Sequence, residues 1–381
     1  MRILLLTDGI FPFSMGGMQK HSFYLYSYLI KNHHLVDLAH CTDSQIELLD
    51  NKYSSKQLFL NNADKIFSIT FPNIPKFPGH YILASWIYSY RLYKHYKSNL
   101  NEYDLIYAQG FTAWRFLQST SKSNSTPILV NLHVFEMYQK GYSLKEKLEK
   151  IILRIPANYM IKHADYLQSL GGQITQLIGS IYPKAKVLQC SIGIEKTWIK
   201  TSINPCSEQK RKFLFIGRME HRKGLHLLNE ILPILCNDTR FEMHFVGPIP
   251  IEFQLNHERI KYYGKISDEF KIIEILDQMD VLLLPSLSEG MPTVILEAMA
   301  RSCAIIATDV GAVSELVDSS NGILIPANDI EALKISILSI LNSSNNKLEM
   351  LKKASIERVQ NYTWDSVIER QISQFQSTKK I

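Results

Sequence analysis

Residues Val281 to Ala300, VLLLPSLSEGMPTVILEAMA, place the strongest limit on the fold. Asp280-Val-Leu-Leu-Leu-Pro285 is a short apolar run closed by a proline. That is the pattern of a strand buried on both faces in a parallel sheet. Pro292 to Arg301 reads as a helix with Pro292 in its first turn, where a missing N–H costs nothing. Ser286 to Met291, a polar loop containing Gly290, joins the two. The free N–H groups of Thr293, Val294 and Ile295 should point at whatever occupies the loop, and such a helix end favours a phosphate or another anion. Glu289 precedes the helix and Glu297 lies about one turn inside it. An ionised carboxylate only accepts hydrogen bonds, so sugar or ribose hydroxyls are natural partners for both. The plainer alternative makes Glu289 a helix-start charge favoured by the dipole and Glu297 a surface residue.

The same order of strand, glycine loop and helix recurs along the chain. Arg2 to Thr7 is a strand run, Asp8 to Gly17 a loop, Met18 to Lys31 a helix and His34 to Ala39 the next strand, a βαβ opening. G-x-G-x-x-G is absent, so this is not the dinucleotide fingerprint. Two adjacent glycines, Gly16 and Gly17, allow a close backbone approach and positive φ; a plain flexible turn is the other reading. Tyr103 to Gly110 is a further strand and turn, and Thr126 to Phe135 a buried strand whose end carries His133. Lys196 to Gln209, with Pro205 and weak periodicity, reads as a linker. Lys212 to Ile216 then starts a second series: a strand, the loop Gly217 to Gly224, and a helix to Leu235. Strands at Phe241 to Gly247 and from Ile260, a helix at Phe270 to Met279, and strands at Ala304 to Thr308 and Gly322 to Pro326 follow. Strand–helix alternation, restarted once, predicts an α/β chain of two doubly wound parallel-sheet domains. We draw them at 1–198 and 199–360, with a closing helix over 361–381.

Composition excludes several classes. The chain has 381 residues, enough for two to three domains at roughly 150 residues each. Asp8 interrupts the apolar start, which argues against a signal peptide, and no run approaches the roughly 20 apolar residues that span a bilayer. The five cysteines are scattered with no C-x-x-C, which suits reduced thiols in a cytoplasmic protein, not a disulfide framework or a zinc site. Residues 1–190 carry 20 Lys+Arg against 12 Asp+Glu, or +8, and the remainder 22 against 24, or −2. The basic first half suggests an anionic partner or surface. No recognition motif supports nucleic acid.

Glu289, seven residues, then Glu297-Ala298 resembles the signature of the retaining family-four glycosyltransferases (glycosyl transferases group 1) of the GT-B fold, here of the bacterial surface-polysaccharide type. The resemblance runs over nearly the whole chain, strongest from Phe213 to Pro326 and weakest from Ser44 to Asn99, where the acceptor would be read. It implies two Rossmann-like domains facing a cleft, the first for the acceptor and the second for a nucleotide sugar. It implies that Glu289 and the backbone of Gly290, Met291 and Pro292 position the donor sugar, with Thr293 and Val294 close by, and that Glu297 holds the ribose. Arg218 and Lys223, beside Gly217, resemble the family pair that grips the diphosphate. Two cations and helix N–H groups stabilise a departing diphosphate without a metal, each charge-assisted bond contributing roughly 1.5–3 kcal/mol. Tyr263, Gly264, Lys265 and Ile266 match the segment whose backbone faces the base, and Gly16 and Gly17 the first-domain loop near the diphosphate. His133 matches a strand-end histidine near the donor sugar, catalytic or positioning. A histidine merely hydrogen-bonded in the cleft is the alternative. Relatives usually carry an acid just after it; here Val134 and Phe135 intervene and Glu136 is three on. The closing segment from Tyr362 resembles the last helix, which packs back on the first domain.

The expected activity is metal-independent, retaining transfer of a sugar, with UDP-sugars favoured, to a lipid-linked or polysaccharide acceptor, with no cofactor besides the donor. No Asp-x-Asp occurs, which argues against a metal-bridged diphosphate. The alternatives are a nucleotide-sugar epimerase or a phosphorylase of the same fold, or a non-catalytic subunit that binds a sugar nucleotide. Tyr81 to Leu100 is rich in aromatics with Arg91, Lys94 and Lys97, and Lys140 to Lys162 is a second basic stretch. Either could meet an anionic membrane surface, making the protein peripheral on the inner face of the membrane; a core-facing helix with a solvated basic side is the alternative reading of the first.

Overall fold

A computed structural model describes residues 1–14, 16–41, 55–75, 77, 79–119, 126–133, 135–139, 144–203, 205–206 and 210–378, without the side chains of residues 55, 56, 136 and 378. Val134, the carboxylate of Glu136, Lys140, and residues 204 and 207–209 of the expected linker lie outside the described residues. The chain divides into two units. The first holds Met1–Leu170, Ile174–Cys190 and Ile368–Ile381, the second Gly171–Gln173 and Ser191–Val367.

In the first unit the strands are β1 (Arg2–Leu6), β2 (Leu35–His40), β3 (Ile66–Ser68), β4 (Leu105–Gln109), β5 (Ile128–Asn131), β6 (Tyr166–Ser169) and β7 (Val187–Gln189). They pair in parallel in the order β3-β2-β1-β4-β5-β6-β7. Ile3 to Leu6 and Leu105 to Gln109 are wholly buried, because helices cover both faces of such a sheet. Those helices are α1 (Gly17–Lys31), α2 (Ser55–Leu60), α3 (His80–Tyr96), α4 (Trp114–Ser119), α5 (Leu144–His163) and α6 (Gly172–Ile181). α3 turns Ala84, Tyr88 and Leu92 inward and leaves Arg91 and Lys94 exposed, the amphipathic arrangement its spacing predicts.

The second unit carries β8 (Arg211–Ile216), β9 (Phe241–Val246), β10 (Ile260–Tyr262), β11 (Val281–Leu284), β12 (Ala304–Thr308) and β13 (Gly322–Ile325). All are parallel, in the order β10-β9-β8-β11-β12-β13. Its helices are α7 (Leu225–Leu235), α8 (Glu269–Leu276), α9 (Thr293–Ala300), α10 (Val313–Leu316), α11 (Ile330–Leu341), α12 (Asn345–Val359) and α13 (Trp364–Thr378), the last continuing into the first unit. Phe213, Phe215, Phe241, Met243, Phe245, Leu283, Ile306 and Ile337 form one apolar core. Burying each such side chain stabilises the unit by roughly 1.5–3 kcal/mol. A buried ion pair ties α12 to the start of β11: Lys352 Nζ, fully buried on α12, donates to Asp280 Oδ1 at 2.9 Å. The other oxygen of Asp280 accepts the Lys212 N–H at 3.0 Å, so the charge is satisfied on both sides.

In each sheet the order reverses once, between β1 and β4 in the first unit and between β8 and β11 in the second. Connections leave such a pair of strands in opposite directions and open a crevice at their carboxyl ends, where doubly wound sheets hold ligands.

Candidate functional site

The loops that follow β8 and β11 flank the crevice of the second unit. After β8 the chain runs through Gly217 and Arg218 into a single 3-10 turn, His221–Lys223, and then Gly224, which caps α7. After β11 it runs through Pro285 to Gly290 and enters α9. The two loops are stitched by backbone, Leu287 N–H donating to Arg222 O at 2.7 Å. Gly224 has φ +71°, and a Cβ there would lie 1.9 Å from Pro285 O, so no side chain fits. A third loop, after β12, braces the site from beneath: Ala312 N–H donates to Gly290 O at 2.8 Å.

Side chains then meet over this frame. Lys223 Nζ donates to Glu289 Oε1 at 2.6 Å, and Ser286 Oγ donates to the same oxygen at 2.8 Å. Arg222 Nη1 lies 3.8 Å from Glu289 Oε2, and its Nε donates to Glu220 Oε2 at 2.7 Å. Arg218 Nε reaches Glu220 Oε1 at 3.0 Å, with its side chain 70% exposed. The cluster is a chain of alternating charge with three cations to two carboxylates, and its exposed end is a guanidinium. An excess of positive charge at a loop–helix junction suits a ligand bearing phosphate groups.

The structure corrects three details of the sequence reading. Pro292 is not in the first turn of α9 but caps it, with φ −75° and ψ 121°, and helical geometry starts at Thr293. The Ile295 N–H is bonded back to Pro292 O at 3.2 Å, which leaves Thr293 and Val294 as the amides directed at the loop. Gly16 and Gly17 do not use left-handed backbone: Gly16 is extended at φ 161° and Gly17 begins α1. The space around them differs: a Cβ on Gly17 would meet nothing within 4 Å, whereas one on Gly16 would lie 2.2 Å from Gln19 Oε1.

Arg222, Glu220 and Ser286 were not singled out from the sequence, yet each touches the Lys223–Glu289 network directly or through one neighbour. The available signal was Arg222-Lys223 side by side before Gly224. Glu297 stands half-buried on α9. The expected base-facing segment, Tyr263 to Ile266, follows β10, three strands along the same edge. It is joined to the cluster through backbone: Gly247 N–H donates to Gly264 O at 2.8 Å, and a Cβ on Gly247 would lie 1.8 Å from Gly217 O. Tyr263 itself bonds through its hydroxyl to His244 Nδ1 at 2.9 Å.

The first unit carries its own polar cluster at the carboxyl ends of β1, β4 and β5. His133 has φ 52°, a conformation unusual outside glycine and worth a backbone strain of about 1–3 kcal/mol. Asn131 holds it there. Its Oδ1 accepts the His133 N–H at 2.9 Å, and its Nδ2 lies 2.9 Å from Tyr107 Oη and 3.2 Å from His133 Nε2. An amide nitrogen only donates, so His133 Nε2 is an acceptor and the ring neutral, with its proton on Nδ1. Burial and the neighbouring His21 ring, edge-on at 5.3 Å, hold the His133 pKa well below 6.5. The sequence reading also did not name Asp8, just after β1, as a site residue. Burial raises its carboxyl to about 6, and its Oδ1 has no hydrogen-bond partner among the described residues. Among the described residues no group of three or more His, Cys, Asp or Glu is placed to hold a metal ion.

Residues 210–343, which contain the whole Lys223–Glu289 cluster, match the family model described as Glycosyl transferases group 1. Over those residues the chain is similar to a group 1 glycosyltransferase domain. TuaC of Bacillus subtilis (strain 168), whose name assigns it to teichuronic acid biosynthesis as a glycosyltransferase, is 33% identical over 224 residues, covering 57% of this chain and 56% of TuaC. The chain spans about half the length of the curated relatives it matches. Among solved structures, sucrose-phosphate synthase from Thermosynechococcus elongatus superposes with a TM-score of 0.74 at 17% identity, covering 100% of this chain and 99% of that one. HepE of Anabaena, crystallised with UDP, gives a TM-score of 0.65 at 17% identity, covering 99% and 100%. At this identity the likeness establishes the fold alone: the chain is of the GT-B fold, with two parallel-sheet α/β units of seven and six strands among the described residues.

Proposed function

We propose that the chain is a metal-independent, retaining hexosyltransferase that moves a sugar from a UDP-sugar to a lipid-linked or polysaccharide acceptor in surface-glycan synthesis. The observation that carries this reading is the Lys223–Glu289–Arg222 cluster at the sheet reversal of the group 1 domain. In the reaction the bond from the anomeric carbon to the β-phosphate oxygen breaks, and negative charge grows on the diphosphate. Lys223, Arg222 and Arg218 are the cations available to receive it, together with the Thr293 and Val294 amides. Protein cations in this arrangement do the work that a divalent ion does elsewhere. Glu289, buried and fixed by Ser286, would hold the donor sugar, and Glu297 the ribose. In the first unit Gly17 offers open backbone, and neutral His133 offers a donor at Nδ1 for a sugar or acceptor hydroxyl. The TuaC likeness supports a glycan acceptor, and the HepE complex supports UDP. The same reading puts the chain on the cytoplasmic side, with an anionic membrane surface as partner.

The test is transfer itself. Purified chain is incubated with a panel of UDP-sugars and short glycan or lipid-linked acceptors, and products are weighed by mass spectrometry. Lys223→Ala should lower turnover by at least about 100-fold with the fold intact at the assay temperature, the scale at which loss of one charge-stabilising donor acts. Near-normal turnover would refute the role. An epimerised donor formed without acceptor would favour the epimerase reading, and donor binding with no turnover the subunit reading.

A further inference from the structure

The loop that braces Glu289 from beneath rests in turn on a segment from the other half of the chain. β6, and α6 from Ile174 onward, belong to the first unit, yet the turn that joins them, Gly171–Gln173, belongs to the second. Three hydrogen bonds seat it there. Gly172 N–H donates to Glu315 Oε1 at 2.8 Å, Gln173 N–H to Gly311 O at 2.8 Å, and Gln173 Nε2 to Asp309 O at 2.7 Å. The fit excludes side chains. Gly172 has φ +53°, and a Cβ there would lie 2.6 Å from Gly311 O. Gly311 has φ +59°, and a Cβ there would lie 2.2 Å from Glu289 O and 2.5 Å from Gly290 O. Both positions need glycine, for conformation and for space.

The result is three layers of backbone: Glu289 and Gly290 lie on Gly311 and Ala312, which lie on Gly172 and Gln173. Ala312 N–H to Gly290 O, at 2.8 Å, ties the upper two layers, and Gln173 N–H to Gly311 O ties the lower two. Backbone packed on backbone has little room to give, so a displacement of the lowest layer passes to the top one. Glu315 is the side chain that fixes the lowest layer, and it stands on a firm base. Its own carbonyl accepts Tyr362 Oη at 2.7 Å and Arg358 Nη2 at 3.1 Å, from the turn Gln360–Tyr362 and the end of α12. The chain that enters the turn is anchored as well. Gln168, three residues before Gly171 on β6, has its Oε1 bonded by Tyr107 Oη at 2.9 Å and by Gln371 Nε2 at 2.6 Å. The cations of the cluster do not stand on this stack: Lys223, Arg222 and Arg218 are carried by the loop after β8. What it supports is the carboxylate that faces them.

We propose that Glu315 is a positioning residue for Glu289: through Gly172 and Gly311 it holds the Glu289 carboxylate where a donor sugar binds. The inference deepens the reading above and rests on it for the role of Glu289. Its consequence is selective. Unseating the turn lets the Glu289 loop shift while the cations after β8 keep their grip on the diphosphate, so affinity for a sugar nucleotide falls and affinity for the bare nucleotide stays. A side chain that served the fold alone would lower stability and leave the ratio of the two affinities where it was.

The experiment titrates the full chain by calorimetry, without acceptor, with UDP and with the tightest-binding of UDP-glucose, UDP-galactose and UDP-N-acetylglucosamine. Glu315→Ala should weaken the UDP-sugar at least about tenfold and UDP by less than about threefold, the scale on which a small misplacement of a positioning group acts. Glu315→Gln should match the unaltered chain within about threefold for both ligands, because its Oε1 accepts the same Gly172 N–H. Each titration is run at a temperature where circular dichroism shows the variant folded. Glu315→Asp, one methylene too short, takes the place of Glu315→Ala if that variant does not fold, and it should show the same selectivity. Equal weakening of both ligands, no weakening of either, or a Glu315→Gln variant as poor as Glu315→Ala would each overturn the proposal. Selective weakening in a chain that transfers no sugar to any acceptor would keep the positioning role and remove the proposed function. A chain that binds neither ligand would remove both.

Discussion

The Lys223–Glu289 contact makes opposite predictions for its two members. Nζ and Oε1 are 2.6 Å apart, with the side chains 15% and 7% exposed. At an effective dielectric of about 20, unit charges at that separation attract by roughly 6 kcal/mol, and desolvation returns most of it, leaving about 1–3 kcal/mol net. Without a nucleotide, Glu289 holds the ammonium group that the diphosphate would use. Replacing Lys223 by Met should weaken UDP binding by about 1.5–3 kcal/mol, one charge-assisted hydrogen bond. That is roughly 12- to 150-fold in Kd. It should also cost stability by about 1–3 kcal/mol, since Glu289 keeps only Ser286 and a guanidinium at 3.8 Å. Replacing Glu289 by Gln should do the reverse to UDP. It removes a like charge from the phosphate side and frees Lys223, so Kd should fall about three- to tenfold; if Glu289 holds the donor sugar as proposed, sugar transfer should drop by at least about 100-fold, because one of its two acceptor oxygens becomes an NH2 donor and the charge is lost. Titration calorimetry with UDP and with a UDP-sugar, on both variants and the double variant, separates these effects. Weaker UDP binding by Glu289→Gln, or unchanged binding by Lys223→Met, would refute the argument that the two side chains are competing partners at a diphosphate site.

Two further outcomes follow from the loops around the sheet reversals. Gly224→Ala should lower stability by about 3 kcal/mol or more, because it adds left-handed strain and brings a Cβ to 1.9 Å from Pro285 O. It should weaken UDP binding in parallel through the Leu287–Arg222 backbone bond, and denaturant unfolding with UDP titration checks both. Asp8 is held at about 6 by burial, above its ordinary value, so its contribution to folding is full below about pH 4 and is lost as pH rises through 6. Asp8→Asn should therefore stabilise the chain by about 1–2 kcal/mol at pH 7.5 and by little at pH 4, measured by denaturant unfolding at both values; destabilisation at pH 7.5 would contradict the burial argument.

Some of this molecule is local, and the amino-acid order determines it. Asp280-Val-Leu-Leu-Leu is apolar on both sides at short length, which suits only a covered parallel strand, and Gly224 and Gly290 mark where the chain must turn. The repetition of that unit made two α/β sheets legible, as did the signature spacing from Glu289 to Glu297. Other properties depend on which strands become neighbours. Lys223 and Glu289 are 66 residues apart and meet only because β8 and β11 pair at the reversal of the sheet. The same pairing brings Arg222 to Glu289 while Arg218 turns outward to Glu220, a choice that spacing within one loop does not contain. Gly16 and Gly17 read alike in sequence, yet one is extended and the other helical, because the start of α1 settles their backbone. In sequence Lys140 to Lys162 read as a basic stretch, and the aliphatic face of α5 within it went unremarked. Whether such a face is core or surface is decided by what packs over it, and that is a property of the folded chain alone.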